Sequence, residues 1–508
     1  MSRPCRSLLL LASLLPLRLA APALAQEAPR HAPAEKPAAA APAPSPVSLL
    51  PADSVTHHQV KIGDRQLGYT ATAGTLPLRD DKGEKQADIF YVAFTLDGVG
   101  DRTQRPVTYA FNGGPGAASA YLDIGALGPR ALDFGAAGLP QPAVDHVGDN
   151  PDSWLPFTDL VFLDPISTGY SRAVSEEAAK KLTSVDPDLD ALAQIVRLHL
   201  ARSDRLASPV YLVGESYGGF RAARLALLLA QREGVAPAGV MMVSPVIEFR
   251  LMSGDRFDVL PWALRLPSYA AVALDDKHAL SPEALGEAER FALGDYLTVL
   301  AAGETGRPEN FYRRLAELTG LDEAVVARWG GRVPAGAYVK AMRHAERQIV
   351  SRYDGTVAAP DPDPASFYVE DDPILEGTVA PFTRAFTAYA RDELGFATDL
   401  SYILLNGELG RHWEWREGNS GDRQSLGAAD ALARALSLQP KLKVLIAHGF
   451  TDLTTPYMMS RYVVEHLPAN LTAERVSLKL YPGGHLLYLR TGSRRHLRED
   501  AAAFYGAP

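Results

Sequence analysis

Three side chains far apart in the chain carry the groups needed for nucleophilic acyl transfer: the hydroxyl of Ser216, the carboxylate of Asp452 and the imidazole of His485. A serine hydroxyl is a weak nucleophile unless a neighbouring base takes its proton as it attacks. His485 would be that base and would later hand the proton to the leaving group. Asp452 would hold the imidazole in the right tautomer and stabilise its charged form. Gly214-Glu215-Ser216-Tyr217-Gly218 has the G-x-S-x-G pattern, in which a serine is pushed out on a sharp turn between a strand and a helix. Flanking glycines suit that turn because a Cβ would crowd it. A second glycine corner, Asn112-Gly113-Gly114-Pro115-Gly116, exposes backbone N–H groups, as an oxyanion hole requires; an ordinary Gly-Pro turn is the alternative. The N–H of Tyr217, just after the nucleophile, would be one oxyanion donor, and the Gly113-Gly114 segment would supply the second.

These residues need elements to bring them together. Residues 210–213 form a short apolar run between Pro209 and Gly214 and read as a buried strand, with a helix over 220–229 after the turn. Further strands are expected over 107–111, 160–163, 240–243, 442–447 and 476–480. Helices are expected over 186–202, 428–438 and 456–467. Strand and helix alternate, which marks a parallel sheet. The carboxyl ends of parallel strands share one edge, so Ser216, Asp452 and His485, each just after a strand, would converge there. Their order in the chain, Ser…Asp…His, is that of the α/β-hydrolases. The expected fold class is therefore α/β: an α/β-hydrolase fold with a mostly parallel central sheet and helices on both faces.

Short alternating runs between Val55 and Leu96 predict an antiparallel entry to the sheet. From about 251 to 401 the alternation stops. Helices are expected from Ser281-Pro282 towards Ala302, then over 309–318, 321–329, 335–350 and 381–394. This stretch reads as an inserted helical cap, the usual carrier of substrate preference above a rigid sheet. The expected layout is a signal peptide over 1–25, an Ala/Pro-rich disordered linker over 26–48, a first core segment over 49–250, the cap over 251–401 and a second core segment over 402–508.

Other candidates fit less well. His448 also follows a strand, but it precedes Asp452 by four residues and reads as a packed or hydrogen-bonding histidine. His57, His58, His412, His466 and His496 lack a strand-end context. Asp164 follows the strand over 160–163 and is the alternative triad acid, although Asp164-Pro165 reads better as a turn. The sequence has no H-E-x-x-H, no Walker A and no strand-linked G-x-G-x-x-G, so neither metal nor nucleotide chemistry is indicated and no cofactor is expected. Net charge is −9 with no long basic run, which gives nucleic-acid binding no support. After the N-terminus no apolar run reaches the roughly 18 residues of a membrane span. At the N-terminus, Arg3 and Arg6 precede an apolar stretch over 8–15 and the small-residue site Ala23-Leu24-Ala25. That is the pattern of a secretory signal cleaved near Ala25, an uncleaved anchor being the alternative. Cys5 is the only cysteine, so the mature chain would carry no disulfide. A secreted or periplasmic bacterial protein is expected.

With these residues in view, the chain resembles the serine carboxypeptidases, peptidase family S10, and is most similar to their bacterial secreted branch. The resemblance rests on Asn112–Gly116, Gly214–Gly219 and Gly484-His485, with Asn150–Trp154 and Leu160–Arg172 as supporting segments. It implies an exopeptidase that removes the C-terminal residue of a peptide or protein. By resemblance, Ser216, Asp452 and His485 are the triad, Gly114 and Tyr217 supply the oxyanion N–H groups, and Asn112 and Glu215 bind the substrate's terminal carboxylate. Two carboxyl groups sharing one proton would raise one pKa, so binding would be best in acid, and an optimum on the acidic side of neutral is expected. Phe111, Ala117, Ala126 and Leu486 depart from the family's usual Trp, half-cystine, acidic residue and Met. An esterase or acyltransferase on the same scaffold is the alternative reading, and a catalytically silent binding module a second. The sequence leaves the oligomeric state open.

Overall fold

The computed structural model describes residues 45–139, 146–366, 368–369, 371–417 and 421–507. The expected signal peptide, its expected cleavage site and the expected linker as far as residue 44 lie outside these residues.

Nine strands form the path of the central sheet: β1 (Ser54–Ile62), β2 (Arg65–Arg79), β3 (Lys85–Leu96), β4 (Val107–Phe111), β5 (Asp159–Leu163), β6 (Val210–Glu215), β7 (Gly239–Val243), β8 (Lys443–Gly449) and β9 (Val476–Tyr481). Their order across the sheet is β1-β2-β3-β5-β4-β6-β7-β8-β9, and a two-residue strand, Arg172–Ala173, pairs with β3. The pairs β1–β2, β2–β3 and β3–β5 are antiparallel. Every pair from β5 to β9 is parallel. This is the α/β-hydrolase architecture. The antiparallel entry is longer than the sequence suggests: β2 runs through Pro77 to a bulge at Leu78/Arg79.

Strands β4 to β8 are buried on both faces and read as nearly unbroken apolar runs, whereas the edge strand β9 is half-buried and alternates along Val476-Ser477-Leu478-Lys479. Alternate residues nevertheless go to opposite sides, as the two-residue period of a strand demands. Leu212, Val240, Met242, Val444 and Ile446 join one hydrophobic cluster. Val213, Met241, Val243, Leu445 and Ala447 join the other. Each of the valines, leucines, isoleucines and methionines among them, fully buried, contributes about 1.5–3 kcal/mol. Helices α1 (Val185–Arg202) and α2 (Tyr217–Leu228) pack into the first cluster. Helices α4 (Leu375–Asp392) and α7 (Thr491–Tyr505) pack into the second. Helices α5 (Ala429–Leu438) and α6 (Tyr457–His466) join α1 and α2 on the first face.

Residues 251–401 are mainly helical, with α3 (Leu260–Asp276) at their centre. They carry a third hydrophobic cluster, in which the rings of Tyr269 and Tyr338 stack at 4.0 Å. Helix α4 behaves differently: Phe382 packs against Tyr121 and Phe134 of the main core. One expectation is overturned in this region. The single helix over 335–350 ends at Ala341, Arg347 takes a positive φ of 55°, and Gln348–Val350 pairs antiparallel with Ala358–Pro360. Helical periodicity continues in the sequence, but the edge hydrogen bonds of a hairpin take over the backbone.

Candidate active site

Strand β6 delivers Glu215, and the chain turns at once into α2. Ser216 occupies the turn with φ 59° and ψ −121°, a conformation that costs a non-glycine residue about 1–3 kcal/mol. Its surroundings hold it there. Ser216 N–H donates to the Val243 carbonyl at 2.9 Å, and its own carbonyl accepts from Gly219 N–H at 2.9 Å and Val246 N–H at 3.2 Å. The turn leaves no room for a side chain at Gly214: a Cβ there would lie 1.9 Å from the Gly218 carbonyl oxygen. A Cβ on Gly113 would lie 2.5 Å from the Tyr217 nitrogen, so the two glycine corners are pressed against each other. Tyr217 is the first residue of α2, and its N–H has no acceptor within the helix. The helix dipole adds partial positive charge at that end.

Asp452 and His485 come from the loops after β8 and β9. His485 Nδ1 donates to Asp452 Oδ2 at 2.8 Å. A carboxylate only accepts, so this bond puts the proton on Nδ1 and leaves Nε2 to act as the base. Asp452 Oδ1 accepts from Thr454 N–H at 2.8 Å and Thr455 N–H at 2.9 Å. The Thr455 hydroxyl lies 2.7 Å from Asp452 Oδ2 and 2.9 Å from the Ser244 carbonyl oxygen. Ser244 Oγ donates to the His485 carbonyl at 2.8 Å, and His485 N–H donates to the Tyr353 carbonyl. The Tyr353 ring meets the imidazole edge to face at 5.1 Å. Burial alone would lower the His485 pKa, but the charge and hydrogen bond of Asp452 outweigh it and leave the imidazole above its ordinary value.

Ser216 and His485 line one cavity of about 150 Å³ together with Asn112, Gly114, Glu215 and Tyr217. Both hydrogen bonds of the imidazole are made by Nδ1, to Asp452 and Thr455. Among the described residues Ser216 Oγ makes no hydrogen bond to His485 Nε2, a contact that catalytic sites often complete only with substrate. A larger groove of about 860 Å³, between Arg224, Glu248 and Arg434, contains none of these residues.

Glu215 and Asn112 are hydrogen-bonded to each other: Asn112 Nδ2 donates to Glu215 Oε2 at 2.9 Å. Tyr488 Oη donates to the same oxygen at 2.6 Å. Glu215 is buried, and burial pushes its carboxyl up to about 7 against the partial offset of His485 and these hydrogen bonds. The end of β4 is held from behind. Arg221 Nη1 donates to the Asn112 carbonyl at 2.6 Å, and the same guanidinium pairs with Asp188 of α1 at 2.7 Å, both side chains being buried.

The remaining candidates lie elsewhere. Asp164 accepts from the backbone and hydroxyl of Ser119 and from Tyr402, not from His485. His448 is buried, with Nε2 against Ser460 Oγ at 2.8 Å, and burial lowers its pKa to about 4. His57, His412 and His466 are on the surface. Sequence reasoning missed Thr455, Tyr488 and Tyr353. Thr455 stands three residues after Asp452 and Tyr488 three after His485, a spacing that in a helical turn puts two side chains on one side. Among the described residues no group of His, Cys, Asp and Glu is arranged to hold a metal ion. No helix among them is long and apolar enough to cross a membrane.

Comparison with known proteins follows the same line. Residues 65–236 match the family model for serine carboxypeptidases. The chain is 26% identical over 211 residues to serine carboxypeptidase-like 45 of Arabidopsis thaliana, covering 40% of this chain and 43% of that one. It is 28% identical over 151 residues to serine carboxypeptidase-like 35 of the same plant, covering 29% of each. The matched stretch is thus less than half the length of these curated relatives. Among solved structures, Kex1, a prohormone-processing carboxypeptidase from Saccharomyces cerevisiae, shares the fold with a TM-score of 0.54. That match covers 86% of this chain and 91% of that chain at 14% identity.

Proposed function

We propose that the chain, which matches the serine carboxypeptidase family model over residues 65–236, is a serine-type carboxypeptidase that hydrolyses the C-terminal peptide bond. The observation that carries this reading is Glu215: a buried acid one residue before the nucleophile, hydrogen-bonded to Asn112 and Tyr488, on the wall of the cavity that Ser216 enters. A general acyl-transfer site needs a triad and oxyanion donors. It has no need of a buried carboxyl group with a raised pKa beside the serine. A peptide's terminal carboxylate does, because a protonated Glu215 can donate to it, and a carboxyl–carboxylate pair sharing one proton avoids like-charge repulsion.

The mechanism follows from this arrangement. Asn112 and protonated Glu215 hold the terminal carboxylate, which sets the last peptide bond against Ser216. Ser216 Oγ attacks the carbonyl carbon while His485 Nε2 takes its proton. The negative charge that forms on the carbonyl oxygen is met by the N–H groups of Gly114 and Tyr217. As the tetrahedral intermediate collapses, the C–N bond breaks and His485 passes its proton to the departing amine. This leaves an ester on Ser216 and a free amino acid. Water then attacks the ester with His485 again as base, releasing the shortened peptide. Asp452 stabilises the imidazolium in both halves.

The reading extends to location. Arg3, Arg6, the apolar stretch over 8–15 and Ala23-Leu24-Ala25 support export as a bacterial secreted or periplasmic protein. A mixed peptide library incubated with the protein at several pH values, then read by mass spectrometry, tests the activity. Stepwise loss from C-termini is expected. Internal cuts, N-terminal trimming, or turnover of short esters with intact peptides would overturn it, the last in favour of an esterase.

A further inference from the structure

Among the described residues, Arg423 is the one charged residue besides Glu215 and His485 that lines the Ser216 cavity. Its guanidinium stacks on two aromatic rings, 4.2 Å from the centroid of Trp415 and 5.0 Å from that of Phe249. The side chain is therefore held in place, yet the residue is exposed at the cavity and has no carboxylate partner among the described residues. Other arginines near the core are paired: Arg221 with Asp188, Arg205 and Arg105 with Asp159, Arg224 with Glu417. A fixed arginine at a ligand cavity, whose guanidinium meets no carboxylate among the described residues, suits an incoming one.

The neighbours of Ser216 indicate which part of a peptide would meet it. Glu215, before the nucleophile, faces Asn112 and Tyr488. Tyr217, after it, packs its ring against Phe249 and Trp415, the two rings that carry Arg423. If the terminal carboxylate sits at Glu215, the leaving residue fills that side. The chain before the scissile bond must then run the other way, past Tyr217 towards Arg423.

We propose that Arg423 is a specificity-determining residue that favours peptides with an acidic side chain, Asp or Glu, immediately before the scissile bond. The proposal rests on the carboxypeptidase reading, and one experiment separates their failures. N-blocked dipeptides ending in Leu, with Glu or the neutral isostere Gln before it, are compared by kcat/KM at low and high salt. The unaltered protein should prefer the Glu peptide by about three- to tenfold at low salt, the range of an exposed to half-desolvated charge pair, with the ratio falling as salt rises. Arg423→Gln should bring the ratio close to one, and Arg423→Lys should retain part of it. A Glu/Gln ratio of one in the unaltered protein, with both peptides cleaved, overturns the role of Arg423 alone. So does an equal rise of KM for both peptides in Arg423→Gln, which would place the guanidinium on the terminal carboxylate instead. Failure to cleave either peptide, in protein whose Ser216 is labelled by a fluorophosphonate, overturns the carboxypeptidase reading itself.

Discussion

Glu215 and His485 pull the pH dependence in opposite directions. Burial raises Glu215 to about 7, so below that pH it is a hydrogen-bond donor to a carboxylate and above it an anion that repels one. KM for a blocked dipeptide is therefore expected to rise as pH passes about 7, and Glu215→Gln to flatten that rise. An unchanged KM profile in the variant would count against the shared proton. His485 works the other way: it must be neutral to accept the Ser216 proton, and Asp452 holds it above the ordinary 6.5 against the effect of burial. The acid limb of kcat should accordingly lie above pH 6.5, measurable as single-turnover acylation against pH. Together the two groups draw the optimum towards neutrality, less acid than carboxyl pairing alone suggests. Ser216, Asp452 and His485 were legible in the sequence because each follows a marked strand, an apolar run for β6 and β8 and an alternating one for β9, and strand ends meet at one edge. Tyr488, Thr455 and Tyr353 were not. The three-residue spacing of Thr455 and Tyr488 from Asp452 and His485 hints at a shared turn, but which atoms face them, and the approach of Tyr353, depend on the folded chain.

At the scale of elements, Arg221 joins three of them: its own helix α2, Asp188 on α1 and the carbonyl of Asn112 at the end of β4. Removing one partner of a buried pair leaves the other charge uncompensated. Arg221→Met is expected to destabilise the protein by about 3–5 kcal/mol, seen as a lower midpoint in urea unfolding. A change below about 1 kcal/mol would show that Asp188 is already neutral in the fold. The sheet was readable because buried strands of five or six residues have flanking glycines and prolines to mark them. Helices α3 and α7 were not singled out, for different reasons. Pro261 and Pro267 lie within α3 and read as breakers, although the first occupies the opening turn, where no hydrogen bond is lost. Helix α7 buries only Ser493, Arg494, Leu497 and Ala501, so its apolar stripe is too thin to show as a period.

Across the whole molecule, stability should also answer to pH through a group remote from catalysis. Asp123 is fully buried, neither of its oxygens has a hydrogen-bond partner among the described residues, and burial together with nearby Asp164 raises its pKa well above the ordinary 3.8. A carboxyl raised on folding contributes stability that is complete below 3.8 and lost as pH rises through the folded value. Asp123→Asn is thus expected to stabilise the protein at neutral pH by about 1–3 kcal/mol, with a gain that shrinks as pH falls towards 4. Urea midpoints at pH 4 and pH 7 measure it, and a gain equal at both would remove the carboxyl's ionisation as the cause.

The backbone bond from His485 to Tyr353 has a practical side for protein engineering. Tyr353 belongs to the same 251–401 stretch that a designer would exchange to graft a new substrate preference from a homologue. That graft would carry off one anchor of the histidine along with the old preference. Chimeras should therefore be cut so that 351–357 stays with the recipient scaffold; a swap that includes it would need compensating mutations before any change of selectivity could be read.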